Sequence, residues 1–205
     1  AKDCYVVVTK KNLISRTTTA RTPRLSGRAA PQLVVQVNSK DQLYLFDEQG
    51  HAVAVAVHTI PECEDPEDGT PLNAATPFGA STVLTAGIAL PPASSRKDKE
   101  SGFLCFTTVG GMIKRSSVDD LPGPSAKGFT AVRVTDGDRL GWVTWTNGSD
   151  DLLLVSSDGQ AIRFSEEDVR QMGLVAAGVG AMKLSEGASI VGMDRIQSRS
   201  DLIIV

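Results

Sequence analysis

Three arginines stand four residues after a turn-forming residue: Arg16 after Asn12, Arg115 after Gly111 and Arg163 after Gly159. A second pair of cations, Arg133 and Lys183, occupies equivalent positions in two stretches that align without a gap, GFTAVRVTDGDRLGWV at 128–143 and GVGAMKLSEGASIVGM at 178–193. Lys114, Lys127 and Arg170 fall near the same tracks, and Arg21, Arg24 and Arg28 punctuate a basic stretch poor in apolar residues. Cations at a regular spacing can neutralise successive phosphates of a polyanion, and each neutralised phosphate releases counterions. Arginine suits this task because its planar fork can make two hydrogen bonds to one phosphate. Such binding needs no group that reads a base. The competing reading is that each cation decorates the solvated face of a strand, as the alternation Ile162-Arg163-Phe164 would also permit.

Other chemistry is poorly served. His51 and His58 have no further ligand pattern around them, and the run Glu62, Glu64, Asp65, Glu67, Asp68 lacks the glycine and terminal glutamate spacing of a calcium loop. Cys4, Cys63 and Cys105 are far apart with no CxxC pair, which argues against a zinc site or disulfide framework and fits a reducing cytosol. No nucleophile–base constellation and no Gly-rich nucleotide loop is present; Ser165-Glu166-Glu167-Asp168 reads as a capped surface turn rather than a pair of working carboxylates. The expectation is a chain with no metal, no cofactor and no catalysis of its own. The longest apolar run, Ala52 to Val57, falls far short of the roughly 20 residues of a membrane-spanning helix, and the N-terminal residues lack the basic-then-apolar order of a secretory signal.

Charge sharpens the expectation. The net charge of -3 divides into +7 over residues 1–40, -7 over 41–100 and -3 over 101–205. A strongly basic segment inside a slightly acidic protein points to a local polyanion contact.

The cations must be positioned by repeated elements. FLCFTTVGGMIKRS at 103–116 and DLLLVSSDGQAIRF at 151–164 each read as an apolar strand, a polar turn and a second strand. YVVVTKKNLISRT at 5–17 and LYLFDEQGHAVAV at 43–55 repeat this half-unit, with Ala54 where arginine stands elsewhere. The turn positions are Asn12, Gly50, Gly111 and Gly159, the residues that best tolerate positive φ. Aromatics are only 5% while glycine and proline number 19 and 10, a balance that favours many short strands. An all-β, propeller-like ring of four-stranded blades has repeats of this length, with units at about 1–32, 33–100, 101–148 and 149–193 of one domain, 1–205. Asp201-Leu202-Ile203-Ile204-Val205 reads as the opening strand of another unit, matching Asp151 to Val155. Helix is expected only around Ser165 to Met172, and Trp142 and Trp145 as core or inter-blade residues.

Two runs carry a family resemblance. Gly111-Met112-Ile113-Lys114-Arg115-Ser116 with Gly128, Val132, Gly137-Asp138 and Leu140 is one; Gly159-Gln160-Ala161-Ile162-Arg163-Phe164-Ser165-Glu166-Glu167-Asp168-Val169-Arg170-Gln171-Met172-Gly173 with Ala177-Gly178-Val179 and Met182-Lys183-Leu184 is the other. Both resemble the C-terminal domain of the bacterial DNA gyrase A subunit and its topoisomerase IV counterpart. The resemblance implies a β-pinwheel, a propeller-like disc whose blades exchange strands, with a basic rim that binds and bends double-stranded DNA without regard to sequence. It places DNA cleavage in a separate catalytic core, with an ATPase subunit completing a heterotetramer in the bacterial cytoplasm near the nucleoid, and no membrane. It implies DNA contacts at Arg16, Arg21, Arg24, Arg28, Lys114, Arg115, Lys127, Arg133, Arg163, Arg170 and Lys183. The family's basic Gly-rich box, QRRGGKG in one-letter form, has no clear counterpart; Arg21 to Ala30 stands in its place. A propeller scaffold that binds proteins and has lost DNA wrapping is the alternative.

Overall fold

The computed structural model describes residues 1–23, 30–96 and 101–196. Its strands are β1 (Asp3–Val8), β2 (Leu13–Thr17), β3 (Leu33–Asn38), β4 (Gln42–Asp47), β5 (His51–Ala56), β6 (Glu62–Cys63), β7 (Thr70–Pro71), β8 (Leu84–Leu90), β9 (Phe103–Thr108), β10 (Met112–Ser117), β11 (Phe129–Thr130), β12 (Leu140–Thr146), β13 (Asp151–Ser156), β14 (Ala161–Ser165), β15 (Val179–Gly180) and β16 (Ile190–Arg195). A single α-helical turn, α1, spans Leu72–Ala75. The all-β expectation holds.

Four antiparallel hairpins, β1–β2, β4–β5, β9–β10 and β13–β14, form the centres of four blades. Their tips sit at the expected positions, with positive φ at Asn12 (57°), Gly50 (84°), Gly111 (89°) and Gly159 (81°). A further strand pairs with the first strand of each hairpin: β3 with β1, β8 with β4, β12 with β9 and β16 with β13. The outer edge of the second hairpin strand is taken by chain from the following unit. Thus β7 pairs with β2, β11 with β5 and β15 with β10. Strand exchange of this kind links each blade to the next. One boundary differs from the sequence reading: Leu33–Asn38 lies in the first blade against β1, not in the second. The alternation of the neighbouring apolar runs does not say which hairpin a strand joins. The stretch 201–205 lies outside the described residues.

The core sits between blades rather than within one. Leu43 and Leu45 on β4 pack with Val6, Val8 and Ile14 of the first blade, while their neighbours Tyr44 and Phe46 pack with Leu104, Phe106 and Leu140 of the third. Cys105 on β9 and Ile113 on β10 face Leu152 and Leu154 of the fourth blade. Successive side chains of a strand point to opposite faces, so the two central blades are apolar on both. Trp145 packs on the cluster between blades two and three, and Trp142 on that between three and four, as expected for inter-blade residues.

Short 3-10 turns recur at Val57–Thr59, Val118–Asp120 and Glu166–Asp168. Ser117 and Ser165 cap the latter two by accepting from Asp119 N and Glu167 N. The sequence reading found only the last, because three-residue turns leave no periodic signal.

Candidate nucleic-acid interface

The three repeated arginines follow the hairpin tips as expected, but each guanidinium is already engaged by a carboxylate. Arg16 Nη1 lies 2.6 Å from Glu62 Oε2, and its Nε donates to Ile60 O at 2.9 Å. Arg115 stacks on the Phe103 ring at 4.5 Å and approaches Glu166 Oε2 at 3.5 Å. Arg163 donates through Nε and Nη2 to Asp151 Oδ2, at 2.8 and 2.5 Å. The first two are sunk between blades, with side chains 17% and 12% exposed, whereas Arg163 is 63% exposed. Arg16 and Arg115 therefore tie their blades to acids of a following unit and are poorly placed to meet a phosphate.

Lys114 corrects the expectation outright. It is fully buried, and its Nζ donates to Ala131 O at 2.5 Å and Gly173 O at 3.3 Å while lying 4.9 Å from the Phe106 ring centre. It cannot reach DNA; it clamps two inter-unit segments. Alternation along β10 would have turned Lys114 away from its neighbours, but this blade is buried on both faces. Burial pushes the ammonium down from 10.5 to about 8, partly opposed by Asp120. The lowered value means the unfolded chain holds this proton more tightly. The contribution of Lys114 to stability should therefore rise between about pH 8 and 10.5, and be least below that window. Cys105, pushed up to about 12 by burial, acts in the opposite sense as pH rises above 9. Urea midpoints of wild type and Lys114→Met compared from pH 7 to 10.5 separate the two. A difference that does not move with pH would refute the assignment.

Other cations remain available. Arg21, Lys127, Arg133, Arg170 and Lys183 are exposed and have no salt-bridge partner among the described residues. Arg24 and Arg28 lie outside the described residues. Arg133 and Lys183 are placed alike by the strand exchange. Ala131 N donates to Gly50 O at 2.9 Å on the second blade, and Ala181 N to Gly111 O at 2.8 Å on the third. Two residues beyond each bond stands Arg133 or Lys183. Glycines permit this close approach: a Cβ on Gly178 would lie 2.3 Å from Ile113 O. Arg139, exposed beside the Gly137 turn, joins this set; the repeat comparison passed over it because Ser189 occupies the equivalent place.

The first blade breaks the series. There Leu72 N donates to Asn12 O at 2.8 Å, and the residue two positions on is Ala74. Nearby acids also neutralise the basic N-terminal segment. Glu62 takes both Lys2 (2.7 Å) and Arg16, and Glu67 takes Lys11 at 2.5 Å. Hydrogen bonding from Lys2, aided by Arg16, lowers the Glu62 carboxyl pKa against a partial desolvation effect. Three of the eight cations of residues 1–40, Lys2, Lys11 and Arg16, are therefore paired internally, which charge counting by segment could not show.

Residues 102–141 and 150–197 match the family described as the DNA gyrase C-terminal domain, beta-propeller. These two segments belong to this family. Among DNA gyrase A subunits, that of Klebsiella oxytoca is 29% identical over 175 residues, covering 82% of this chain and 19% of the relative. That of Haemophilus influenzae is 31% identical over 148 residues, covering 72% and 16%. This chain thus spans about a fifth or less of these relatives. The C-terminal domain of a DNA topoisomerase IV superposes with a TM-score of 0.78 at 26% identity, over 97% of this chain and 62% of that one. The E. coli ParC C-terminal domain shares the fold, with a TM-score of 0.76 at 14% identity over 96% and 80%.

Within the gyrase-type disc, the two matched segments hold Lys127, Arg133, Arg170 and Lys183, all exposed. Arg16 and Arg21 lie before them, in the blade whose edge is acidic. Among the described residues no cluster of three or more histidine, cysteine, aspartate or glutamate side chains could hold a metal, and no helix is long and apolar enough to cross a membrane.

Proposed function

We propose that this C-terminal domain of a type IIA topoisomerase binds double-stranded DNA without regard to sequence and bends it along the edge carrying Arg133, Arg170 and Lys183. Strand cleavage and ATP hydrolysis belong, in this reading, to a catalytic core and an ATPase subunit of the same bacterial cytoplasmic assembly. The observation that carries it is the repetition, in consecutive units, of an exposed cation two residues beyond the bond that follows the exchanged strand, with no salt-bridge partner among the described residues. Smooth bending of a 20–30 bp site costs about 1–6 kcal/mol, which several phosphate contacts can offset and one cannot. Lys127, Arg139 and Arg21 extend the set. Arg16 and Arg115 act by joining blades.

Binding to a nonspecific duplex should weaken steeply with salt. Each lost phosphate contact lowers the slope of log K against log salt by about 0.9, so Arg133→Ala with Lys183→Ala should reduce it by about 1.8. An unchanged slope in the double variant refutes the assignment of these two residues, and a flat wild-type slope refutes DNA binding altogether.

The acidic edge of the first blade favours a second reading, a scaffold that binds a basic protein surface. Under that reading charge reversal at Arg133 and Lys183 would leave DNA retention where it was.

A further inference from the structure

Val175 is the outlier of the backbone. Among the described residues, Asn12 and Val175 alone have positive φ without being glycine. Asn12 is accommodated at a hairpin tip, where its side-chain amide donates to Ala80 O and Thr82 O. Val175, at φ 74°, has a branched Cβ that disfavours this region strongly. It is also 55% exposed, so burial does little to compensate. Strain held at an exposed position points to a role in binding.

Its surroundings indicate the ligand. Leu174 anchors the turn by packing on the core between the second and third blades. Ala176 O accepts from Arg133 N at 3.3 Å, which sets the turn beside the segment that presents Arg133. Arg170 and Lys183, both exposed, lie on the same stretch of chain to either side. Carried three residues back, the same offset of 50 puts Ser125 at this place in the third unit, so the repeat itself does not require an apolar side chain.

We infer that Val175 is an apolar contact set into the minor groove of the bent duplex, amid the cations that hold its phosphates. Proteins that bend DNA commonly press an apolar side chain against sugar edges or a base step on the minor-groove side. The inference rests on the DNA reading above. It commits to the duplex as the partner, because the turn bonds to the segment that presents Arg133 and stands in the chain between the exposed Arg170 and Lys183.

The experiment compares binding to a covalently closed minicircle and to the same sequence as a linear duplex. Wild type should prefer the minicircle. Val175→Gly should lower that preference about fivefold while keeping the salt slope, and should raise Tm by about 2–4 °C through relief of strain. Val175→Ile should retain the preference, because it keeps an apolar branched side chain there. A wild-type preference in Val175→Gly, or a lost preference accompanied by a fallen salt slope, overturns the inference. Salt-dependent binding by wild type with no minicircle preference overturns this inference alone; absence of salt-dependent binding overturns the DNA reading with it.

Discussion

Glu166→Ala should destabilise the disc by about 3–5 kcal/mol, the range for breaking a buried ion pair from one side. The carboxylate is fully buried, and every approach to it is used. Oε1 accepts from Gly148 N at 2.8 Å and Asp150 N at 2.9 Å, fixing the turn that leads into β13. Oε2 accepts from Thr146 Oγ1 at 2.6 Å and faces Arg115 Nη1 at 3.5 Å. Removing it strands two backbone amides, a hydroxyl and a guanidinium whose Nε already has no partner among the described residues. An unmade buried hydrogen bond costs about 1–3 kcal/mol. Glu166→Gln keeps one acceptor and should fall between wild type and alanine. Urea unfolding at constant m-value measures both; a loss below about 1 kcal/mol for alanine would show that water replaces the carboxylate.

Gly178→Ala should cost about 3 kcal/mol or more, while Gly159→Ala should cost only about 1–2. Both glycines have positive φ, 93° and 81°. They differ in what a Cβ would meet. At Gly178 it would lie 2.3 Å from Ile113 O, against the backbone of β10, whereas at Gly159 nothing stands within 4 Å. Alanine at 178 must push β15 away from the third blade, breaking the pairing of Ile113 with Val179 and the Ala181–Gly111 bond. The difference between the variants isolates the steric part from the conformational part. Hydrogen exchange at Ala181 N gives a local check, since this amide should lose protection in Gly178→Ala and keep it in Gly159→Ala. Equal losses of stability in the two variants would mean that the exchanged strand does not need so close an approach.

The salt dependence then asks a different question from either variant. Glu166 and Gly178 hold the blades together; Arg133 and Lys183 are expected to act on DNA with little effect on folding, because exposed unpaired cations contribute little to stability. Losing DNA affinity through Glu166→Ala would only report unfolding, so affinity and urea midpoint must be measured on the same preparations.

Local chemistry determined much of this protein from the sequence alone. Asn12, Gly50, Gly111 and Glu-rich turn neighbours such as Ser165 have conformational preferences that need no distant partner, so hairpin tips and the Ser165 cap were legible. The apolar run Leu43 to Phe46 was likewise legible as a strand, whereas its burial on both faces came from the structure. The aligned segments around Gly128 and Gly178 disclosed the repeat and, with it, the equivalence of Arg133 and Lys183.

The tertiary structure decided which cations are free. Arg16, Arg115 and Arg163 look alike in sequence, yet each meets a carboxylate, and Lys114 disappears between two segments whose carbonyls enclose it. The physical reason is that a side chain's neighbours across a blade boundary come from chain 17 to 59 residues away. Charge pairing depends on those through-space distances, while a sequence reports only the distance along the chain.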